Sequence, residues 1–288
     1  MKRLILILLL LVSWTIAPAQ NYVSTADDIA LAEMVMQQMA AAPRADGPAM
    51  MVQAAKALLG QPYEAGTQEG REERLRIYLT RTDCILFAET CLGLVQTVQR
   101  CGARASFEDL ARTLQASRYR GGVVDGYASR LHYTTEWVQQ GIDAGLFRDV
   151  TPELGGVADT RPIRFMSEHP DRYAPLKGES QYARDNRARI AAMEAGVNAI
   201  PRCYLPKEKL SAAEDRIRSG DILCMTTRID GLDVSHVVIA YREKPDGRLG
   251  FIHASSAAKK VVVEPRTLQA WLDASRDATG VRVLRINQ

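Results

Sequence analysis

Histidine is scarce in this sequence of 288 residues: there are four, His132, His169, His236 and His253. Cysteine is scarce too. The five thiols, Cys84, Cys91, Cys101, Cys203 and Cys224, include no Cys-x-x-Cys pair, which argues against a zinc cage. They are also too sparse for a disulfide-stapled mini-fold. No stretch approaches the ~20 apolar residues needed to span a bilayer. There is no internal repeat and no low-complexity tract. An excess of one charge is missing as well. The 37 basic residues less Lys2 and Arg3 leave 35 against 34 acidic ones, so the chain beyond its first residues has no electrostatic footprint for nucleic acid or an anionic membrane. No metal or other cofactor is expected.

Setting Lys2 and Arg3 aside has a reason. They precede an apolar run from Leu4 to Val12, followed by Ala17-Pro18-Ala19. A basic start, a short apolar stretch and small residues in an A-x-A pattern make a secretory signal peptide, with cleavage expected near Ala19. No Cys stands at that point, which argues against a lipid anchor. The expectation is therefore a leader over 1–19 and one exported domain over 20–288, periplasmic or secreted. In an exported protein, an odd number of cysteines leaves at least one thiol free or paired between chains.

Apolar residues at three- and four-residue spacing (Ile29, Met34, Val35, Met39) predict helix from about Ser24 to Leu59, ended by Gly60-Gln61-Pro62. From Cys84 to Val98 almost every residue is apolar and none is proline, which predicts a buried helix with Asp83 as its N-cap. Weaker helical patterns follow over 107–117, 134–144 and 184–199. After Ser211 the character changes to short β-rich runs: 222–225, 237–241, 249–253, 261–263 and 281–286. Turn signals such as Ser219-Gly220-Asp221 and Pro245-Asp246-Gly247 separate them. Helices first and strands last predict an α+β fold with a mostly antiparallel sheet.

Two features of that pattern bear on chemistry. A thiol in the first turn of a helix meets the positive end of the macrodipole and free backbone N–H groups, which favour thiolate and can hold an oxyanion. Cys84 has that position, although a cysteine on an apolar helix is also simply a small core residue. His236 and His253 flank the Lys244–Gly247 turn. If that turn closes an antiparallel hairpin through a two- or four-residue loop, paired positions have an odd sum. The two imidazoles then share one face as diagonal neighbours. A nucleophile, a base and an orienting group would then be present in one domain.

Leu59-Gly60-Gln61-Pro62-Tyr63, then Asp83-Cys84, then Ser219-Gly220-Asp221-Ile222-Leu223, then His236-Val237 with a histidine on the next strand, resemble the NlpC-type papain-like cysteine peptidases of bacterial cell walls. The resemblance covers roughly residues 56–98 and 216–256 and leaves 102–211 as a long, mainly helical insertion between Cys and His. It implies a papain-like core with an antiparallel sheet or partial barrel, Cys84 as nucleophile, His236 as general base and His253 as the orienting residue. It also implies that Tyr63 and Asp83 face the substrate. The common Asp-Cys-Ser-Gly is here Asp83-Cys84-Ile85-Leu86, so the serine that helps recognise a free peptide N-terminus is absent. With the insertion and its Arg130-Leu131-His132-Tyr133 and Trp137, this resembles the N-acetylmuramoyl-L-alanine amidase-like branch. That branch implies cleavage between the lactyl group of the sugar and L-alanine, with anhydro-muropeptides favoured.

Peptidoglycan fragments are thus the expected partners. A γ-D-glutamyl–diamino-acid endopeptidase, an acyl transferase and a catalytically silent wall-binding protein are the alternatives. His132, Tyr133 and Trp137 could line a sugar-binding part of the cleft formed by 102–211, or could pack inward. His169 reads as a loop residue, Glu89 as a buried, paired carboxylate without an assigned role, and Cys101–Cys203 as one conceivable disulfide.

Overall fold

A computed structural model describes residues 22–42, 45–70, 72–244 and 247–287. The leader expected over 1–19 and part of the Lys244–Gly247 turn lie outside these residues. The helices are α1 (Ala26–Ala41), α2 (Gly47–Ala57), α3 (Cys84–Cys101), α4 (Phe107–Arg118), α5 (Thr134–Asp143), α6 (Phe165–Glu168), α7 (Gln181–Asn198), α8 (Leu210–Ala213) and α9 (Leu268–Ala274). The strands are β1 (Phe147–Asp149), β2 (Val157–Ala158), β3 (Cys203–Pro206), β4 (Ile222–Thr227), β5 (Val234–Tyr241), β6 (Gly250–Ser255), β7 (Lys260–Val263) and β8 (Ala278–Ile286). No helix among the described residues is long and apolar enough to cross a membrane.

The fold is α+β, and all strand pairs are antiparallel, in the order β2-β3-β8-β4-β5-β6-β7 with β1 also on β8. β2 and β7 do not pair with each other among the described residues, so the sheet is open rather than a closed barrel. Region 102–211 is not purely helical: it supplies β1, β2 and β3, and two of these pair directly with β8.

The helical stretch expected over 24–59 is two helices. Asp46 caps α2 by accepting the Ala49 N–H at 2.9 Å, and Pro48 stands in its first turn, where a missing N–H costs nothing. Each face of the sheet carries a core. Val237, Ile239, Ile252, Ala254 and Val261 pack with α1–α4 on one side. Val238, Ala240, Phe251, Val281 and Val283 pack with Leu210, Leu268 and Leu272 on the other. A smaller cluster within the insertion gathers Tyr127, Tyr133, Ile163, Met166, Leu176 and Ile190.

Three devices place the start of α3. Asp83 caps it, accepting the Leu86 N–H at 2.9 Å. The Gly60–Tyr63 segment stitches it to β7. Thr82 donates its N–H to the Pro62 carbonyl, and Tyr63 donates its own to that of Lys259, both at 2.9 Å. Asp28 on α1 ties down the approach, because its fully buried carboxylate accepts the N–H groups of Leu79 and Thr80 and the Thr80 hydroxyl, each at 2.8 Å. At the start of β4, Gly220 has φ of +91°, and a Cβ there would lie 2.1 Å from the Pro48 carbonyl oxygen, so the Gly-Asp turn docks against α2.

Burial acts to raise the Asp28 pKa, but the hydrogen bonds from Thr25, Thr80 and Leu79 outweigh it and hold the carboxyl below its ordinary range. Its contribution is therefore present above about pH 4 and lost as pH falls below that. Asp28→Ala leaves buried N–H donors without partners and should cost about 3 kcal/mol. Urea unfolding at neutral pH measures this, and a loss under about 1 kcal/mol would show that residues 79–80 do not depend on the carboxylate.

Candidate active site

β4 and β5 pair from Ile222↔Ile239 to Met225↔His236, and Ser235 then bulges out before Thr226↔Val234. β5 and β6 pair only through Ile239↔Ile252, Ala240↔Phe251 and Tyr241↔Gly250. The sums are odd, so positions 236 and 253 share a face. Beyond Ile239 the two strands part. Ala240 donates its N–H toward the β4 side, to the Asp221 carbonyl, so by alternation the Val237 N–H points toward β6, where no ladder bond receives it. The N–H groups of Val237, Cys84 and Ile85 lie near enough the Cys84 sulfur to counter part of the rise that burial gives its pKa. The thiol of α3 thus lies near the split between the two strands, by the residue that follows His236.

The histidine pair bridges the same split. His236 Nε2 and His253 Nδ1 are 2.7 Å apart, with their rings nearly perpendicular. Trp271 of α9 stacks on His236 at 5.8 Å between centroids. Behind His253, Glu264 Oε2 stands 3.3 Å from Nε2, while Glu264 Oε1 accepts Arg266 Nε–H at 2.6 Å. Burial acts to raise the Glu264 pKa, but the Arg266 hydrogen bonds and charge bring it below the ordinary value, so the group is an ionised carboxylate at neutral pH.

Burial sets the protonation of the centre. It pushes the Cys84 thiol up to about 11, with the Asp83 charge adding to the effect and the three N–H groups only partly opposing it. Desolvation, reinforced by His253, lowers His236 to about 3. The resting pair is therefore a neutral thiol and a neutral imidazole. Desolvation thus opposes the thiolate that the helix terminus favours.

Tyr63 and Asp83 lie near Cys84: burial raises the Tyr63 pKa and the Cys84 and Asp83 charges add to it, and the Asp83 charge likewise adds to burial at Cys84. His132, Tyr133 and Trp137 are placed elsewhere. Trp137 is buried in the main core against Phe147, with centroids 5.2 Å apart. Tyr133 is buried in the insertion's own cluster, donating its hydroxyl to Glu194 at 2.7 Å and accepting the Met166 N–H at 2.9 Å. His132 Nε2 is 2.8 Å from the Tyr127 carbonyl oxygen, and its ring packs on that of Tyr127. The cleft-lining expectation for Tyr133 and Trp137 is corrected: Trp137 on α5 packs into the main core and Tyr133, just before α5, into the insertion's cluster, which removes their large apolar area from water.

Glu89 is buried and ion-paired with Arg118 at 2.8 Å, and Gln68 also donates to it at 3.3 Å. His169 caps the end of α6, its Nδ1 lying 2.8 Å from the Phe165 carbonyl oxygen. Cys101 and Cys203 are both free thiols, as are the other three. No group of three or more His, Cys, Asp or Glu among the described residues is placed to hold a metal ion. Glu264 and Trp271 were not anticipated. Glu264 shares parity with Val262, and Val262 pairs with His253, so the β6–β7 register places it on the face of His253.

The sequence profile of the N-acetylmuramoyl-L-alanine amidase-like family matches residues 53–280. The chain belongs to this family. The match runs through 102–211, so the region between Cys84 and His236 is part of the family pattern of this amidase-like hydrolase. An N-acetylmuramoyl-L-alanine amidase from Bacteroides uniformis is similar in structure, with 36% identity, a TM-score of 0.76, and coverage of 83% of this chain and 99% of that one. A Bacteroides fragilis structure provisionally named a xylanase is 37% identical over 81% of this chain and 99% of its own, with a TM-score of 0.74. A Legionella pneumophila protein, at 18% identity and a TM-score of 0.68 over 91% and 95% of the chains, shares the fold. No curated protein sequence matches the chain.

The depressed His236 pKa has a measurable consequence. The unfolded chain binds a proton at this position below about pH 6.5, and the folded protein does not until about 3. Stability should fall as pH drops through that window. Urea unfolding at about pH 7 and about pH 4.5 should show a larger loss for wild type than for His236→Gln. Equal losses would mean that the imidazole is charged, or solvated, in the folded state.

Proposed function

We propose that this protein is an exported cysteine amidase that hydrolyses the bond between the lactyl group of N-acetylmuramic acid and L-alanine in muropeptides, anhydro forms included. The observation that carries the reading is Cys84 in the first turn of a buried helix, near the Val237 N–H, with a hydrogen-bonded histidine pair that begins at the preceding residue of that strand. The family and the 36%-identical amidase support the bond type. The NlpC-type motif order supports a papain-like ancestry. On this reading residues 20–288 form one catalytic domain, 102–211 help shape its cleft, and cleavage near Ala19 releases it to the periplasm or beyond.

Because the resting thiol is neutral, its proton moves to His236 as the sulfur attacks the amide carbonyl. Backbone N–H groups at the start of α3 hold the oxyanion. Collapse breaks the carbon–nitrogen bond, and His236 returns the proton to the departing amine of L-alanine. Water then gives a proton to His236 and attacks the thioester, which regenerates the thiol and frees the sugar acid. His253 orients the base throughout, and Tyr63 and Asp83 border the scissile bond.

Mass spectrometry of anhydro-muropeptides incubated with purified protein tests the reading. Wild type should release free anhydro-sugar and an intact stem peptide, and Cys84→Ala should release neither. His236→Ala should lower kcat by about 10³-fold, and His253→Ala by less. A sugar still bearing L-Ala-D-Glu would make the protein an endopeptidase, and wild-type turnover by Cys84→Ala would remove the nucleophile.

A further inference from the structure

Glu264 lies outside the nucleophile, base and orienter, yet the direction of the proton order in the site follows from it. It stands just past β7, its N–H donated to the Phe251 carbonyl at 2.9 Å, which aligns it on the face that carries His253. Arg266 occupies Oε1 through its Nε at 2.6 Å and its backbone N–H at 3.3 Å, which leaves Oε2 turned toward His253. The 3.3 Å contact to His253 Nε2 is a charge contact rather than an aligned hydrogen bond. That ring nitrogen is enclosed and has no hydrogen-bond partner among the described residues, so the Glu264 carboxylate is the one group that decides its state.

A lone pair on His253 Nε2 would face a buried negative charge. A proton there is attracted instead, so Nε2 carries the hydrogen. A neutral imidazole has one N–H, and His253 Nδ1 is therefore an acceptor. His236 Nε2, 2.7 Å away, must then be the donor. The single proton of His236 is thereby spent on its neighbour, and its Nδ1 keeps a lone pair. In the reverse order His236 Nδ1 would be protonated and useless as a base.

We propose that Glu264 is a positioning residue, anchored by Arg266, that fixes the tautomers of His253 and His236 and so selects Nδ1 of His236 as the basic nitrogen. It touches no reacting atom. When His236 accepts the thiol proton, the imidazolium lies two contacts from an ionised carboxylate, and no proton moves onto Glu264. This deepens the reading of Cys84 and His236 as the active centre and rests on it.

The test is long-range ¹H–¹⁵N correlation spectroscopy of the full protein labelled at histidine. Its four imidazoles are assigned with His236→Gln and His253→Gln. Wild type at neutral pH should show both His253 and His236 protonated on Nε2 and unprotonated on Nδ1. Glu264→Gln, which can present either an oxygen or an N–H₂, should show mixed tautomers, with kcat lowered about 10- to 100-fold and KM little changed. Glu264→Asp keeps the charge and should keep the wild-type tautomers with part of the lost kcat restored. A wild-type His236 protonated on Nδ1 overturns the proposal without any variant. Unchanged tautomers in Glu264→Gln also overturn it. If Glu264→Gln does not fold, wild type and Glu264→Asp still decide: the expected tautomers in both sustain the proposal, and scrambled tautomers in Glu264→Asp sink it. Because the spectra need no substrate, the predicted tautomers together with inert muropeptides would leave the proton order standing and remove the amidase reading.

Discussion

A helix segment without a polar face must be enclosed on every side, and α3 is buried at every position from Leu86 to Val95. Its enclosure governs much else. Glu89 and Thr97 are drawn inside with it, so each needs an internal partner. Arg118 at the end of α4 answers Glu89, and its Nη1 also donates to the Arg76 carbonyl at 2.6 Å. Thr97 donates to the Gly93 carbonyl on its own helix and meets Thr113 of α4 at 3.1 Å. One apolar helix thus fixes the position of α4 and of the loop before Asp83. Its N-terminus is left with a single outlet, toward the sheet.

The reactive centre is the point where that outlet meets an incomplete ladder. β5 and β6 are paired at the turn end and apart at the other, and the thiol and the histidine pair both lie by that split. The burial that gives the helix its place also removes charge from the site. Thiol and imidazole are both driven toward their neutral forms, so charge develops only as a reaction proceeds. That is the condition under which preoriented N–H groups act most strongly.

Much of this was legible in the sequence. Asp83 before an unbroken apolar run marks a capped, buried helix, and the odd sum across a short turn puts positions 236 and 253 on one face. Other features were not legible, for identifiable reasons. Asp46-Gly47-Pro48 divides the first helical stretch, a start signal hidden by continuous Ala and Met periodicity on both sides. β1, β2 and β3 are two to four residues long, too short for alternation to show. Tyr133 and Trp137 have the same amphipathic character whether they meet sugar or core, and only the tertiary packing of α5 decides between these. Glu264 could be placed on the face of His253 only once the β6–β7 register was known.

β8 is the hub of the sheet: β1 and β3 lie along one edge of it and β4 along the other. It also follows all of them in the sequence. During synthesis the earlier strands emerge with their main partner still unmade, so the sheet cannot close progressively from its N-terminal end. The contacts that β8 makes with β1 span about 140 residues, which places the protein toward the slow, non-local end of folding behaviour. A nascent chain of this topology can pair β4 to β7 in order, but β1 and the β2–β3 pair join that meander only once the final strand is available.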